Sequence, residues 1–214
     1  MKYKCIIFDC DGVLVDSEAI SSGVLTEMAK ELGIKISHDE ALENFTGSSL
    51  QYSLKYIENK FGQALPSDFE LEFRQKSYEQ FALNLKPING IHEVIQSLTI
   101  PFCVASSGPR EKIIRNLTTA NLIQYFEGNL FSSYDIQSWK PEPDIFLHAA
   151  KSMGFEVHEC LVIEDSCTGI QAAKSGGFDV IAFVNDGNTQ RFQNENISIC
   201  FSMKELHNLL SKTH

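Results

Sequence analysis

Short, unbroken apolar runs recur along this chain, each closing on a polar residue and each followed by a turn and a helical pattern. They are Cys5–Phe8, Phe102–Ala105, Cys160–Ile163 and Val180–Val184, with weaker examples near Leu130 and Ile199. A strand with one face in water alternates apolar and polar residues. A run without alternation is covered on both faces, as in a parallel sheet flanked by crossover helices. Strand and helix alternating over 214 residues therefore predict an α/β core built on a doubly wound, mostly parallel sheet. Ligands of such sheets bind beyond the carboxyl ends of the strands, and Asp9, Ser106, Glu164 and Asp165 all fall there.

One stretch breaks the alternation. From Asp16 to Lys86 the signals are helical only: Ile20, Val24, Leu25, Met28 and Leu32 form a stripe that stops at Gly33, and Leu50, Leu54, Ile57 and Phe61 form another ending at Gly62. Phe69, Phe73 and Phe81 indicate a third. Ser37 with Glu40, and Ser67 with Glu70, match the capping-box pattern of a helix start. This is too much helix for one crossover. It predicts an α-helical domain, residues 16–86, inserted into a catalytic core made of residues 1–15 and 87–214, with linkers near Val15–Ser17 and Lys86–Gly90.

A net charge of −10 argues against nucleic acid and anionic membrane as partners, because both select basic faces. No apolar run approaches the roughly 20 residues of a membrane helix, and the apolar stretch after Lys4 is broken by Asp9 and Asp11 before it could serve as a signal peptide. The six cysteines include no C-x-x-C pair, and Cys5, Cys103, Cys160 and Cys200 lie in or beside apolar runs. They read as reduced packing residues, which predicts a cytoplasmic protein. The six histidines show no zinc-binding spacing, and Cys10 and Trp139 read as packing residues.

Four stretches carry chemistry. In "FDCDGVLVD", Asp9 and Asp11 stand two apart at a strand end, and Gly12 lets the backbone turn. One carboxylate can attack phosphorus while the other exchanges protons with the leaving oxygen and with water. In "CLVIEDSCTG", Glu164 and Asp165 end a second strand, and paired acidic strand ends suit magnesium, which prefers oxygen ligands. In "FCVASSGPR", Ser106, Ser107 and Gly108 offer hydroxyl and backbone N–H donors ahead of a helix. In "SWKPEPDIF", prolines hold Lys140 and Glu142 extended and let Pro143 start a helix, a stiff mount for one ammonium group. Taken singly, each also fits a plain role: an acidic turn, acids favouring a helix N-terminus, a capped polar loop, or a solvated lysine.

Together and in this order, the four stretches resemble the haloacid dehalogenase-like hydrolase superfamily, in the branch whose phosphatases and phosphomutases carry a helical cap after the first motif. The resemblance implies a Rossmann-like core, with Asp9 the nucleophile, Asp11 the general acid/base, and Ser106 and Lys140 holding the phosphoryl group. It implies that Asp165 binds magnesium with Asp9 and the Asp11 carbonyl, that Glu164 joins directly or through water, and that Ser107 and Gly108 help hold phosphate. Gly47, within "FTGSS", matches the glycine of the cap's specificity loop, and Arg74 or Lys76 could read a substrate carboxylate from a later helix. The segment from Leu130 to Lys151 resembles that of the bacterial 6-phosphogluconate phosphatases. The implied reaction is magnesium-dependent hydrolysis of a small phosphorylated metabolite, a sugar or sugar-acid phosphate, with no protein partner implied. A β-phosphoglucomutase-like phosphomutase and a non-catalytic phospho-accepting or binding domain are the alternatives.

Overall fold

The computed structural model describes residues 2–45, 48, 50–184, 192 and 196–212. The chain divides into two compact units: Met1–Val15 with Lys86–His214, and Asp16–Leu85.

In the first unit, β1 (Cys5–Phe8), β2 (Phe102–Ser106), β3 (Leu130–Ser132), β4 (Cys160–Glu164), β5 (Asp179–Phe183) and β6 (Ser198–Cys200) form one sheet among the described residues. The order is β3-β2-β1-β4-β5-β6, and every neighbouring pair is parallel. This is the doubly wound sheet that the apolar runs predict. The direction of winding reverses at β1, so the crevice between the ends of β1 and β4 is the switch point where such folds bind ligands.

In the second unit, α1 (Glu18–Glu31), α2 (His38–Phe45), α3 (Leu50–Phe61) and α4 (Phe69–Asn84) enclose a core of their own. Leu25, Met28, Ala29, Ile34, Phe45, Ile57, Phe69 and Phe73 meet there. Gly33, at φ +81°, ends α1 in a Schellman motif, in which the Gly33 N–H donates to the Lys30 carbonyl (2.9 Å) and the Ile34 N–H to that of Ala29 (3.0 Å). The capping box at α2 is present: the Glu40 N–H donates to Ser37 Oγ at 3.2 Å and the Ser37 N–H to Glu40 Oε2 at 2.9 Å. The one expected at Ser67 and Glu70 is not, because α4 starts at Phe69 with Asp68 rather than Ser67 at the N-cap, and Glu70 instead pairs with Arg74.

The sheet's helices are α5 (Ile91–Ser97), α6 (Arg110–Thr119), α7 (Ser133–Ile136), α8 (Asp144–Met153), α9 (Cys167–Ser175) and α10 (Met203–Lys212). α8 lies on β1, β2 and β3, and α9 on β4 and β5. Cys5, Ile7, Cys103, Ala105, Cys160 and Val162 face Ile145, Phe146, Ala149, Ile170 and Ala173 across this layer. Strand side chains alternate faces, so Phe8 points the other way and joins Phe102 and Phe126 in edge-to-face contacts with centroids 5.4–6.4 Å apart. Each such side chain taken fully out of water stabilises the fold by about 1.5–3 kcal/mol, which sets a rigid platform beneath the strand ends.

Candidate active site

The Asp9 N–H donates to the Ile163 carbonyl at 2.9 Å, so parallel pairing with β4 continues one residue past β1. That puts Asp9 beside Glu164 and Asp165, and one ligand oxygen from each of the three buried carboxylates lies within 4.8 Å of the others. Beyond Asp9 the chain turns tightly. The Cys10 carbonyl accepts from Leu14 and Val15 at 2.9 and 3.1 Å, and the Gly12 N–H donates to Val15 at 2.9 Å. Gly12 stands at φ +79°, and a Cβ there would lie 2.0 Å from Asp165 Oδ2. Only glycine lets this turn pass so close to the second acidic strand end.

Lys140 enters the same crevice. Its side chain is 5% exposed, and its ammonium donates to Asp9 Oδ1 and, at 2.6 Å, to Glu164 Oε2. It stands 4.8 Å from the centroid of the Phe146 ring and within 3.5 Å of the Ala105 carbonyl, next to Ser106. The loop that carries it differs from the extended stretch read from the prolines. The Glu142 N–H donates to the Trp139 carbonyl at 3.0 Å and closes a turn over a cis Lys140–Pro141 peptide. Proline restricts the residue before it to conformations that suit a turn as well as an extended strand. Pro143 then stands at the N-cap position, directly ahead of α8, close to the helix start read from the sequence.

Burial disfavours charge on both partners. It pushes the Asp9 carboxyl up to about 7, against the Lys140 ammonium that favours ionisation, with Glu164 and Asp11 adding repulsion. Burial acts on Lys140 in the opposite sense, yet the carboxylates of Asp9 and Glu164 hold its ammonium above the ordinary lysine range. Burial also raises the Cys10 thiol well above its usual value, so the cysteine between the two aspartates is inert packing.

Glu164 is held from both ends. Oε1 accepts from the Asp165 N–H (3.2 Å), the Ser166 N–H (3.1 Å) and Ser166 Oγ (2.8 Å), while Oε2 meets Lys140. A Cβ on Gly169 would lie 2.0 Å from this carboxylate, so α9 approaches as closely as it does because that residue is glycine. Ser166 also caps α9, accepting from the Gly169 N–H at 3.0 Å. The donor set fits a hard divalent cation. Three carboxylates meet at a strand-end crevice, and Lys140 offsets only one of their charges. Asp9 and Asp165 would hold such an ion, and with its oxygens so engaged Glu164 would suit a contact through water.

Ser106 is buried at the end of β2, and its Oγ accepts from the Gly108 N–H at 3.1 Å, so its hydroxyl proton remains to be donated. The Gly108 N–H, expected as a phosphate donor, is thereby committed. The Gly108 carbonyl accepts from Ser132 Oγ at 2.7 Å, which ties the half-buried Ser107 loop to the end of β3. The Asp11 carboxylate does not join the cluster but meets Lys112 and Asn116 of α6. Gly47 lies outside the described residues. Arg74 and Lys76, expected as carboxylate readers, pair with Glu70 and Glu31. Ser166 could have been found from sequence as a serine directly ahead of a helical pattern. Lys112 and Asn116 carry no such signal, since both look like ordinary helix residues.

Comparison with known proteins converges on one family. Residues 6–183 match the haloacid dehalogenase-like hydrolase family. A 6-phosphogluconate phosphatase of Escherichia coli is 35% identical over 186 residues, covering 86% of this chain and 84% of its own. A haloacid dehalogenase-like protein of unknown function from Agrobacterium tumefaciens superposes with a TM-score of 0.90 at 30% identity, over 99% of both chains. A family hydrolase from Deinococcus radiodurans, solved with bound phosphate and sodium, superposes at 0.84 with 25% identity over 99% of this chain and 96% of its own. The sheet order, the acidic strand ends and the buried lysine are thus those of a member of the haloacid dehalogenase-like hydrolase family.

Proposed function

We propose that this protein is a magnesium-dependent phosphatase that hydrolyses a small phosphorylated metabolite through an aspartyl-phosphate on Asp9. The observation that carries the reading is the convergence of Asp9, Glu164 and Asp165 at the sheet's switch point, with the buried Lys140 paired to Asp9 and Glu164. A carboxylate held there has few bulk waters to screen it and a fixed cation to orient it.

In the first step an Asp9 oxygen bonds to phosphorus while the ester P–O bond breaks, and Asp11 gives its proton to the departing oxygen. In the second, Asp11 takes a proton from water, the water oxygen bonds to phosphorus, and Asp9 is released with inorganic phosphate. Lys140 and the Ser106 hydroxyl hold the phosphoryl oxygens through both steps. Magnesium, held by Asp9, Asp165 and the Asp11 carbonyl, would supply the positive charge that draws the phosphoryl group to Asp9.

Sequence identity with the E. coli phosphatase supports a sugar-acid phosphate, 6-phosphogluconate or a near relative, as substrate. The chain's net charge of −10 supports no nucleic-acid or membrane role, and no described helix is long and apolar enough to cross a membrane. Five of the six thiols are buried as packing groups, which supports a cytoplasmic setting. The helical unit Asp16–Leu85 we assign to choosing the substrate.

The test is phosphate release from a panel of phosphorylated metabolites, with and without magnesium, by the wild type and Asp9→Asn. The expected result is magnesium-dependent release, highest on sugar-acid phosphates and abolished in the variant. Full activity after exhaustive chelation would remove the metal, and transfer to a second sugar phosphate without phosphate release would make the enzyme a mutase.

A further inference from the structure

The Asp11 carboxylate is gripped from one helix. Lys112 Nζ donates to Oδ2 at 2.6 Å and Asn116 Nδ2 to Oδ1 at 3.3 Å, so both oxygens accept from this helix. The two residues are one turn apart on α6 and so share a face. The backbone that carries Asp11 is fixed as well, by the turn between Cys10 and Val15 and by a bridge between Asp11 and Val15. Asn116 is fully buried, and its Oδ1 has no partner among the described residues. A buried amide left partly unsatisfied is unfavourable for the fold, and an apolar side chain beside the buried Ile113 and Leu117 would pack better. Its contact with Asp11 is what the amide provides that an apolar residue could not.

We propose that Lys112 and Asn116 are positioning residues for Asp11, an inference that rests on the phosphatase reading above. An aspartate on a free loop samples several χ1 and χ2 wells, and a proton is exchanged efficiently only from the one aligned with the leaving oxygen. Two donors on opposite oxygens select one orientation. The consequence is specific. Transfer to Asp9 from alkyl phosphates, whose leaving oxygen needs a proton, depends on Lys112 and Asn116, whereas transfer from aryl phosphates, whose leaving group departs as an anion, depends on them far less.

The experiment compares steady-state kinetics on a sugar phosphate and on an aryl phosphate for the wild type, Asp11→Asn, Lys112→Met, Lys112→Arg and the double variant Asp11→Asn/Lys112→Met. Lys112→Met is expected to lower kcat on the sugar phosphate by about tenfold or more, part of the roughly 10²–10⁴ that acid–base catalysis supplies, with KM within about twofold. The aryl phosphate should lose less than about threefold in kcat/KM, which reports transfer to Asp9 before water attacks. Lys112→Arg should recover part of the loss, and the double variant should be no slower than Asp11→Asn, as for residues acting as a unit. If Lys112→Met does not fold, Lys112→Gln carries the same contrast. Equal losses of kcat/KM on both substrates, an effect confined to KM, a full extra loss in the double variant, or no loss at all would overturn the proposal. If the wild type releases no phosphate from any monoester, the phosphatase reading falls first and takes this one with it. A wild type and Asp11→Asn that behave as that reading requires, beside Lys112 variants that show no leaving-group contrast, would sink this inference alone.

Discussion

Gly12 shows how narrowly single residues are constrained at this site. A methyl group there would need a positive φ and would lie 2.0 Å from Asp165 Oδ2. The backbone strain costs about 1–3 kcal/mol, and the clash must be relieved by moving either the Asp11 turn or the Asp165 carboxylate. Gly12→Ala is therefore expected to cut turnover by about a hundredfold or more, the usual result of displacing a reacting group by about 1 Å. Its melting temperature should fall only modestly. Steady-state assays with thermal melts check this, and near-normal turnover would mean that Asp165 is free to move. Gly12 was legible in the sequence as a turn after two carboxylates. The reason for Gly169 was not, because it lies in a carboxylate at the end of β4, and nothing in its own helix signals that approach.

At the scale of elements, the strands were legible because burial on both faces leaves no alternation to confuse, and Cys5–Phe8 is β1 to the residue. Helix starts were less so. Ser37/Glu40 and Ser67/Glu70 have the same spacing, and only the first forms a capping box, since the second Glu is drawn to Arg74 one turn on. The Ser37/Glu40 cap has a further anchor, because Lys60 of α3 pairs with Glu40. The Lys60 side chain, followed by the Ser37 N–H, depresses the Glu40 carboxyl from 4.5 to about 2. A folded-state value below the unfolded one stabilises above the unfolded value and fades as pH falls through the folded one. Glu40→Gln should accordingly melt below the wild type at neutral pH, with the gap closing as pH drops from 4.5 toward 2. The pair is exposed, so the gap should be small and shrink in salt. A gap independent of pH would show that the carboxylate's charge is not what stabilises the cap.

For the whole molecule, the helical unit leaves and re-enters the core at adjacent points. Val15 bridges Pro87, and the Ile88 N–H donates to the Leu14 carbonyl at 3.0 Å. Each unit has a buried cluster of its own: Leu25, Ile57 and Phe73 pack within one, and Ile7, Val162 and Phe146 within the other. Replacing Asp16–Leu85 by a short flexible linker should thus leave a folded core that still hydrolyses aryl phosphates but no longer prefers one phosphorylated metabolite. Substrate screening of the shortened chain checks this, and an unchanged preference would move substrate choice into the core. The sequence marks this unit only as a long helical stretch between strands. The substrate was not legible, since Arg74 and Lys76 proved to be partners of Glu70 and Glu31.

The central claim is that Asp9 itself carries the phosphoryl group. Aryl phosphates test it most directly, because their leaving group departs readily and makes breakdown of the intermediate the slow step. The enzyme is quenched in acid during turnover with magnesium present, digested, and its peptides mapped by mass. The account predicts a phosphoryl adduct on the peptide around "CIIFDCDG", located at Asp9 and absent when magnesium is chelated. Phosphate release at full rate with Asp9 unmodified throughout, or an adduct located on Asp11 instead, would contradict it.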